Sequence, residues 1–169
     1  MQCCGCGVEF GDQEGPTHAY MLSSPGCWAA YGQVLVREYQ DHSAYSEIHR
    51  LTVDAYAVHH PGIETAQARS SVGFHLSRIQ LWLEFGGTAG EIDAVRDEIS
   101  AKRRAYPWLT PPATRAALSV ADVLAATTPE AHTEMVRQWA RAVWKNWSEH
   151  HATVRAWNMG LQPHFRSKP

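Results

Sequence analysis

The sequence predicts an all-α fold: a bundle of about four to five helices behind an irregular N-terminal segment. Three observations carry this. Apolar residues recur at helical spacing over most of the 169-residue chain, and no run alternates as a half-buried strand does. Helix start signals recur, with a hydroxyl residue before proline at Ser24–Pro25 and Thr128–Pro129. The first 24 residues, by contrast, are rich in Gly, Cys, Pro and Ser and have no such period. The length predicts one domain: a Cys-rich knuckle over 1–24 packed on a bundle over 25–160, with a frayed tail at 161–169.

The first helix follows from "SSPGCWAAYGQVLVREY", where Ser24 caps and Trp28, Tyr31, Leu35 and Tyr39 keep the 3.6 period. After a break at Asp41–Ser43, "AYSEIHRLTVDAYAVHHPG" predicts a second helix that stops at Pro61–Gly62. A third is expected over Glu64–Phe85, ending at "FGGTAG". A fourth, "GEIDAVRDEISAKRRA", has acids early and bases late, as the helix dipole prefers. Its basic end, Lys102–Arg104, reads as a helix terminus rather than a targeting signal. The proline-rich stretch from Tyr106 predicts a stiff loop with one short helix at Val120–Ala125. One long helix is expected from Thr128 to Trp157, with Trp139, Val143, Trp147, His150 and Val154 on one stripe.

A net charge of -2 gives no reason to expect a nucleic-acid partner or an anionic membrane surface. No apolar h-region precedes the cysteines and no run of about 18 apolar residues occurs, so the expected compartment is the cytoplasm. In a reducing compartment, clustered cysteines are more often metal ligands or redox groups than disulfides.

All four cysteines lie between Cys3 and Cys27. Cys3 and Cys6 have CxxC spacing, short enough for both thiolates to reach one tetrahedral cation. Cys27 falls in the first turn of a helix, where exposed N–H groups favour thiolate. His18, in the loop between them, is the expected fourth ligand, and Cys4 is a spare. The expected cofactor is structural zinc. Redox thiols are the competing reading, but no strand precedes this CxxC as in thioredoxin-like motifs.

The chain has ten histidines against four phenylalanines, several of them at helical spacing. His49 and His60 share a face of the second helix with Val53 and Tyr56. His75 stands among Val72, Leu76, Ile79 and Leu83, and His150 among the late tryptophans. Facing helices can build metal sites from such inward side chains. His49, His60, His75 and His150 are therefore a candidate second site for Zn, Fe or Ni. Asp54 and His75 are the candidate catalytic pair, with an open metal position activating water. A plainer reading makes each histidine a hydrogen-bonded core residue and pairs Asp54 with an arginine such as Arg155. No HExxH occurs, so no recognised metalloprotease helix is present. The tryptophans read as packing, and Arg137, Arg141 and Lys145 as a solvated face.

The segments "CCGCG", "GPTHAYMLSSPGCWAAYGQVLVREY", "IHRLTVDAYAVHHPG" and "WSEHHATVRAW" resemble a bacterial family of small proteins catalogued only as a domain of unknown function. The resemblance covers most of the chain and implies no reaction. In the family form, Pro follows the first cysteine and Gln precedes the His-Pro; here Cys4 and His59 stand there. The resemblance thus implies Cys3, Cys6 and Cys27 as the family-like cysteines and His60 as the family-type histidine.

Two functions follow as expectations. One is a metal-dependent, hydrolase-like enzyme acting on a small molecule, its pocket covered by the "YPWLTPP" loop with Tyr106 and Trp108 near substrate. The alternative is a zinc-stabilised binding or regulatory module whose Trp-rich helix meets a protein partner or a second copy of the chain. Metal sensing or trafficking is a third, weaker idea.

Overall fold

A computed structural model describes residues 1–102, 105–161 and 165. The described residues are all-α. α1 (Pro25–Gln40), α2 (His42–Tyr45), α3 (His49–His59) and α4 (Ala66–Glu84) are followed by α5 (Ala89–Ala94), α6 (Arg96–Ala101), α7 (Val120–Ala125), α8 (Pro129–Asn146) and α9 (His151–Trp157). The caps follow sequence. Ser24 and Thr128 accept the N–H groups of Cys27 and Ala131, each with proline in the first turn, while Thr88–Glu91 and Ser119–Asp122 form reciprocal capping boxes.

Three expected helices are interrupted. The second is two pieces, because the chain turns through residues 46–48 between α2 and α3. The fourth breaks at β-branched Val95 (φ -97, ψ 5), giving α5 and α6. The last breaks at Trp147 (φ -85, ψ 17), and a 3₁₀ turn over Ser148–His150 separates α8 from α9. That turn changes the register: Trp139, Val143, Trp147 and Val154 stay buried, but His150 leaves the stripe and meets the Thr110 carbonyl at 2.9 Å.

α3 is the centre of the bundle. It packs on α4 and α8, and α1 packs on α7. Leu51, Ala55, Tyr56 and Val58 of α3 meet Val72, Leu76 and Ile79 of α4, Val136, Trp139 and Val143 of α8, and Tyr31 and Val34 of α1 in one apolar core. The opposite face of α4 closes a second cluster with Ile92, Val95, Ile99, Tyr106, Leu161 and Phe165. α4 is therefore buried on both faces, which explains its burial of Ser77, Arg78 and Gln80. Leu161 and Phe165 of the segment expected as a tail are buried; the rest of that segment, and Arg103–Arg104 of the basic helix end, lie outside the described residues. No helix among the described residues is long and apolar enough to cross a membrane.

α1 and α3 run antiparallel and are joined at both ends. Cys27 at the start of α1 meets His60 at the end of α3, 3.3 Å apart. Glu38 near the end of α1 meets His49 at the start of α3, 2.7 Å apart. Eleven residues of helix, about 16 Å, separate the two junctions.

Candidate metal centre

The N-terminal segment folds back on itself. Cys3 N–H donates to the Val8 carbonyl (2.9 Å), Gly7 N–H donates to the Cys3 carbonyl (2.9 Å), and Gln2 bridges Glu9 in antiparallel fashion. This tight hairpin turns both Cys3 and Cys6 inward, and Gly7 permits it by taking φ 78. Cys27 reaches the same place from the first turn of α1, and His60 from the C-cap of α3. One ligand atom from each of Cys3, Cys6, Cys27 and His60 lies within 4.8 Å of every other. These four are a candidate metal-binding group, and none of the cysteines forms a disulfide.

The geometry fits a tetrahedral cation. Two thiolates bound to one zinc at about 2.3 Å lie about 3.8 Å apart, and a thiolate and an imidazole nitrogen about 3.6 Å. The Cys6 and Cys27 sulfurs are 3.8 Å apart, and Cys27 Sγ lies 3.3 Å from His60 Nε2. His60 Nδ1 is 2.9 Å from the Tyr56 carbonyl. A carbonyl only accepts, so Nδ1 carries the proton and Nε2 presents its lone pair to the sulfurs. Burial pushes the Tyr56 phenol up, so its O–H is kept and points at Cys27 Sγ (3.6 Å).

Burial also decides what kind of site this is. Cys3, Cys6, Cys27 and His60 are 0%, 4%, 0% and 0% exposed. Without a cation the three sulfurs cannot all carry charge. Hydrogen bonds from Cys27, then Cys6, hold the Cys3 thiol far below the ordinary thiol range against the opposing effect of burial. The bonds Cys27 makes to Cys3, then Cys6, together with burial, push its own thiol up.

Gly5 explains part of "CCGCG". A Cβ there would collide with His60 Cδ2 and lie 2.5 Å from the Leu22 carbonyl. Gly5→Ala should therefore displace the imidazole from the sulfurs. The expected cost is about 1–3 kcal/mol, a fall in melting temperature of roughly 2–12 °C. Differential scanning calorimetry checks it.

His18 is not the fourth donor. Its loop carries it onto Tyr20 (rings 4.3 Å apart) and Trp28 (5.2 Å), and its Nδ1 accepts the Tyr20 N–H at 3.4 Å. Cys4 is exposed beside the cluster. His49, His60, His75 and His150 do not converge, and the reason is geometric. His49 and His60 sit at opposite ends of α3, about 16 Å apart. His49 pairs with Glu38, His75 with Asp54, and His150 with a backbone carbonyl. Among the described residues, the cysteine–His60 group is the one cluster of three or more such side chains within ligating reach.

Asp54 and His75 do meet: His75 Nδ1 lies 2.7 Å from Asp54 Oδ1. Trp82 Nε1 donates to Asp54 Oδ2 at 3.3 Å, and Arg78 Nε lies 3.1 Å from that oxygen as an ion pair. Arg155, the expected partner of Asp54, instead pairs with Glu84. Sequence reasoning missed a second buried network. Glu38 accepts from Thr52 (2.6 Å), His132 Nε2 (2.8 Å) and His49 Nδ1 (2.7 Å).

The sequence profile of a family of unknown function (DUF5946) matches residues 1–148, and the chain belongs to that family. No curated protein and no solved structure matches the chain.

Proposed function

We propose that this DUF5946 chain is a zinc-stapled helical module, in which one Zn²⁺ held by Cys3, Cys6, Cys27 and His60 is structural. The observation that carries this reading is the convergence of four buried donors from three separate segments. Three soft thiolates and one imidazole suit zinc. Four protein ligands with no water-accessible position make a closed site, whereas catalytic zinc keeps one position open. The metal supplies a cross-link: it ties the hairpin to the N-terminus of α1 and the C-terminus of α3. Thiolate ligands suit a reducing cytoplasm. The metal-dependent hydrolase reading needs a bundle-borne site, and His49, His60, His75 and His150 do not converge on one among the described residues.

The test is elemental analysis of the full chain purified without added metal. One zinc per chain, retained through dialysis against a mild chelator and released on denaturation, is the expected result. Metal-free folded protein, with all four thiols reacting freely with a disulfide reagent, would sink the reading.

A further inference from the structure

The Asp54–His75 pair has the geometry of a catalytic base held by a buried acid. The Asp54 side chain is 1% exposed and the His75 side chain 15%. Asp54 is fixed from three sides by His75, Arg78 and Trp82. Its oxygen takes the Nδ1 proton, so Nε2 carries the lone pair, as in acid–histidine dyads that accept protons. Nε2 has no partner among the described residues, and the ring lines an open cleft of about 650 Å³. This base faces space where a small molecule fits.

The cleft also indicates the charge of that molecule. Tyr20, Gln67, Arg69, Ser70 and Ser71 share its wall. Arg69 is half-buried and has no carboxylate partner among the described residues. Hydroxyl and amide groups beside an uncompensated guanidinium suit a carboxylate-bearing ligand. Ser71 lies one helical turn before His75, so its hydroxyl and the imidazole share a face.

We propose that this cleft is a metal-independent hydrolytic site for small anionic esters, with His75 as general base, Asp54 as its positioning residue and Arg69 as the anion anchor. A water beside Nε2 gives it a proton while the water oxygen forms a bond to the acyl carbon and the carbonyl π pair moves onto oxygen. Collapse of the adduct breaks the bond to the leaving oxygen, which takes the proton from Nε2. Ester and water become acid and alcohol, and His75 returns to its starting form. Asp54 stays ionised throughout. The site is separate from the zinc centre and stands whether or not that centre holds metal.

The test uses the full chain with its zinc content and circular dichroism recorded, and two probes, 4-nitrophenyl hemisuccinate and neutral 4-nitrophenyl acetate. The hemisuccinate should be the better substrate, with the higher kcat/KM of the two. His75→Gln should lower kcat about 10²-fold at unchanged zinc content. Arg69→Gln should raise KM for the hemisuccinate several-fold and leave KM for the neutral acetate ester unchanged. Asp54→Asn, if folded, should lower kcat and alter the pH profile. Wild-type rates in His75→Gln, or equal handling of both esters, would overturn the proposal. Should His75→Gln fail to fold, an unchanged hemisuccinate KM in Arg69→Gln overturns it alone.

Discussion

Replacing Cys27 with serine is expected to abolish the proposed zinc site and to cost a large part of the protein's stability. Cys27 Sγ lies 3.8 Å from Cys6 Sγ, 3.3 Å from His60 Nε2 and 3.6 Å from the Tyr56 hydroxyl, so one substitution touches every arm of the centre. Structural zinc contributes an apparent 10–16 kcal/mol or so in finger peptides, against about 5–15 kcal/mol for the whole stability of an ordinary domain. Any zinc bound by the thiols of the unfolded chain would offset part of this, and the helical core contributes its own stability, so the loss is smaller than the peptide figure. About 4 kcal/mol or more is expected, a fall in melting temperature of at least roughly 8–16 °C. The sulfurs belong to the main apolar core, which also takes in Val8 and Phe10 of the hairpin. The damage should therefore spread from residues 1–24 to the first turn of α1 and the last turn of α3, and no further. Cys4→Ser is the control: its thiol is exposed, and stability should stay within about 0.5 kcal/mol of wild type. Thermal unfolding with parallel metal analysis checks both. A Cys27→Ser protein with full zinc and unchanged melting temperature would contradict the assignment.

Local signals were legible in the sequence, and partners far apart in the chain were not. α1, α7 and the start of α8 are where Ser24, Ser119 and Thr128 place them, because capping is chemistry among near neighbours. The breaks at residues 46–48, Val95 and Trp147 were not legible, because tertiary packing overrides a continuous period there. The metal group was half legible. CxxC spacing and the helix-start position of Cys27 marked three donors. The fourth was misplaced because loop proximity favoured His18, while His60 sat on a helix whose face suggested another site. The resemblance contained the missing signal, since it set His60 beside the three cysteines. Asp54 and His75 were singled out together, yet their direct hydrogen bond spans 21 positions and two helices, which no periodicity encodes. Glu38 gave no signal at all. It reads as a surface acid within "VREYQ", and its partner His132 stands 94 residues away.

Glu38 is also where the second large effect is expected. It is 1% exposed, and its two oxygens take three hydrogen bonds from α3 and α8. His132 extends the network. Its Nδ1 accepts from Arg37 at 3.2 Å, and Arg37 also donates to the carbonyls of Val123, Leu124 and Ala126 at the end of α7. One carboxylate thus organises four helices at the end of α1 opposite the cysteine–His60 group. Glu38→Ala leaves Thr52, His132 and His49 without their acceptor in a dry site, at a cost of about 3–5 kcal/mol. Glu38→Gln keeps the volume but presents N–H to one of those donors, at about 1–3 kcal/mol. The pH dependence distinguishes this from lost packing. Burial alone would raise the Glu38 carboxyl. The hydrogen bonds from His132, then His49 and Thr52, outweigh it and hold the group below its usual value of 4.5. A carboxyl lowered by folding contributes stability that is complete above that usual value and lost as pH falls through the folded one. Wild type should therefore lose this contribution below about pH 4.5, and the Gln variant, having no proton to take up there, should show a shallower acid limb. Urea unfolding across pH 3–7, on chains of verified zinc content, measures the difference. Parallel acid limbs in the two proteins would show that Glu38 is held by packing and not by its charge. The two junctions lie about 16 Å apart along α1 with no shared partner, so the Cys27→Ser and Glu38→Gln losses should add to within about 0.5 kcal/mol.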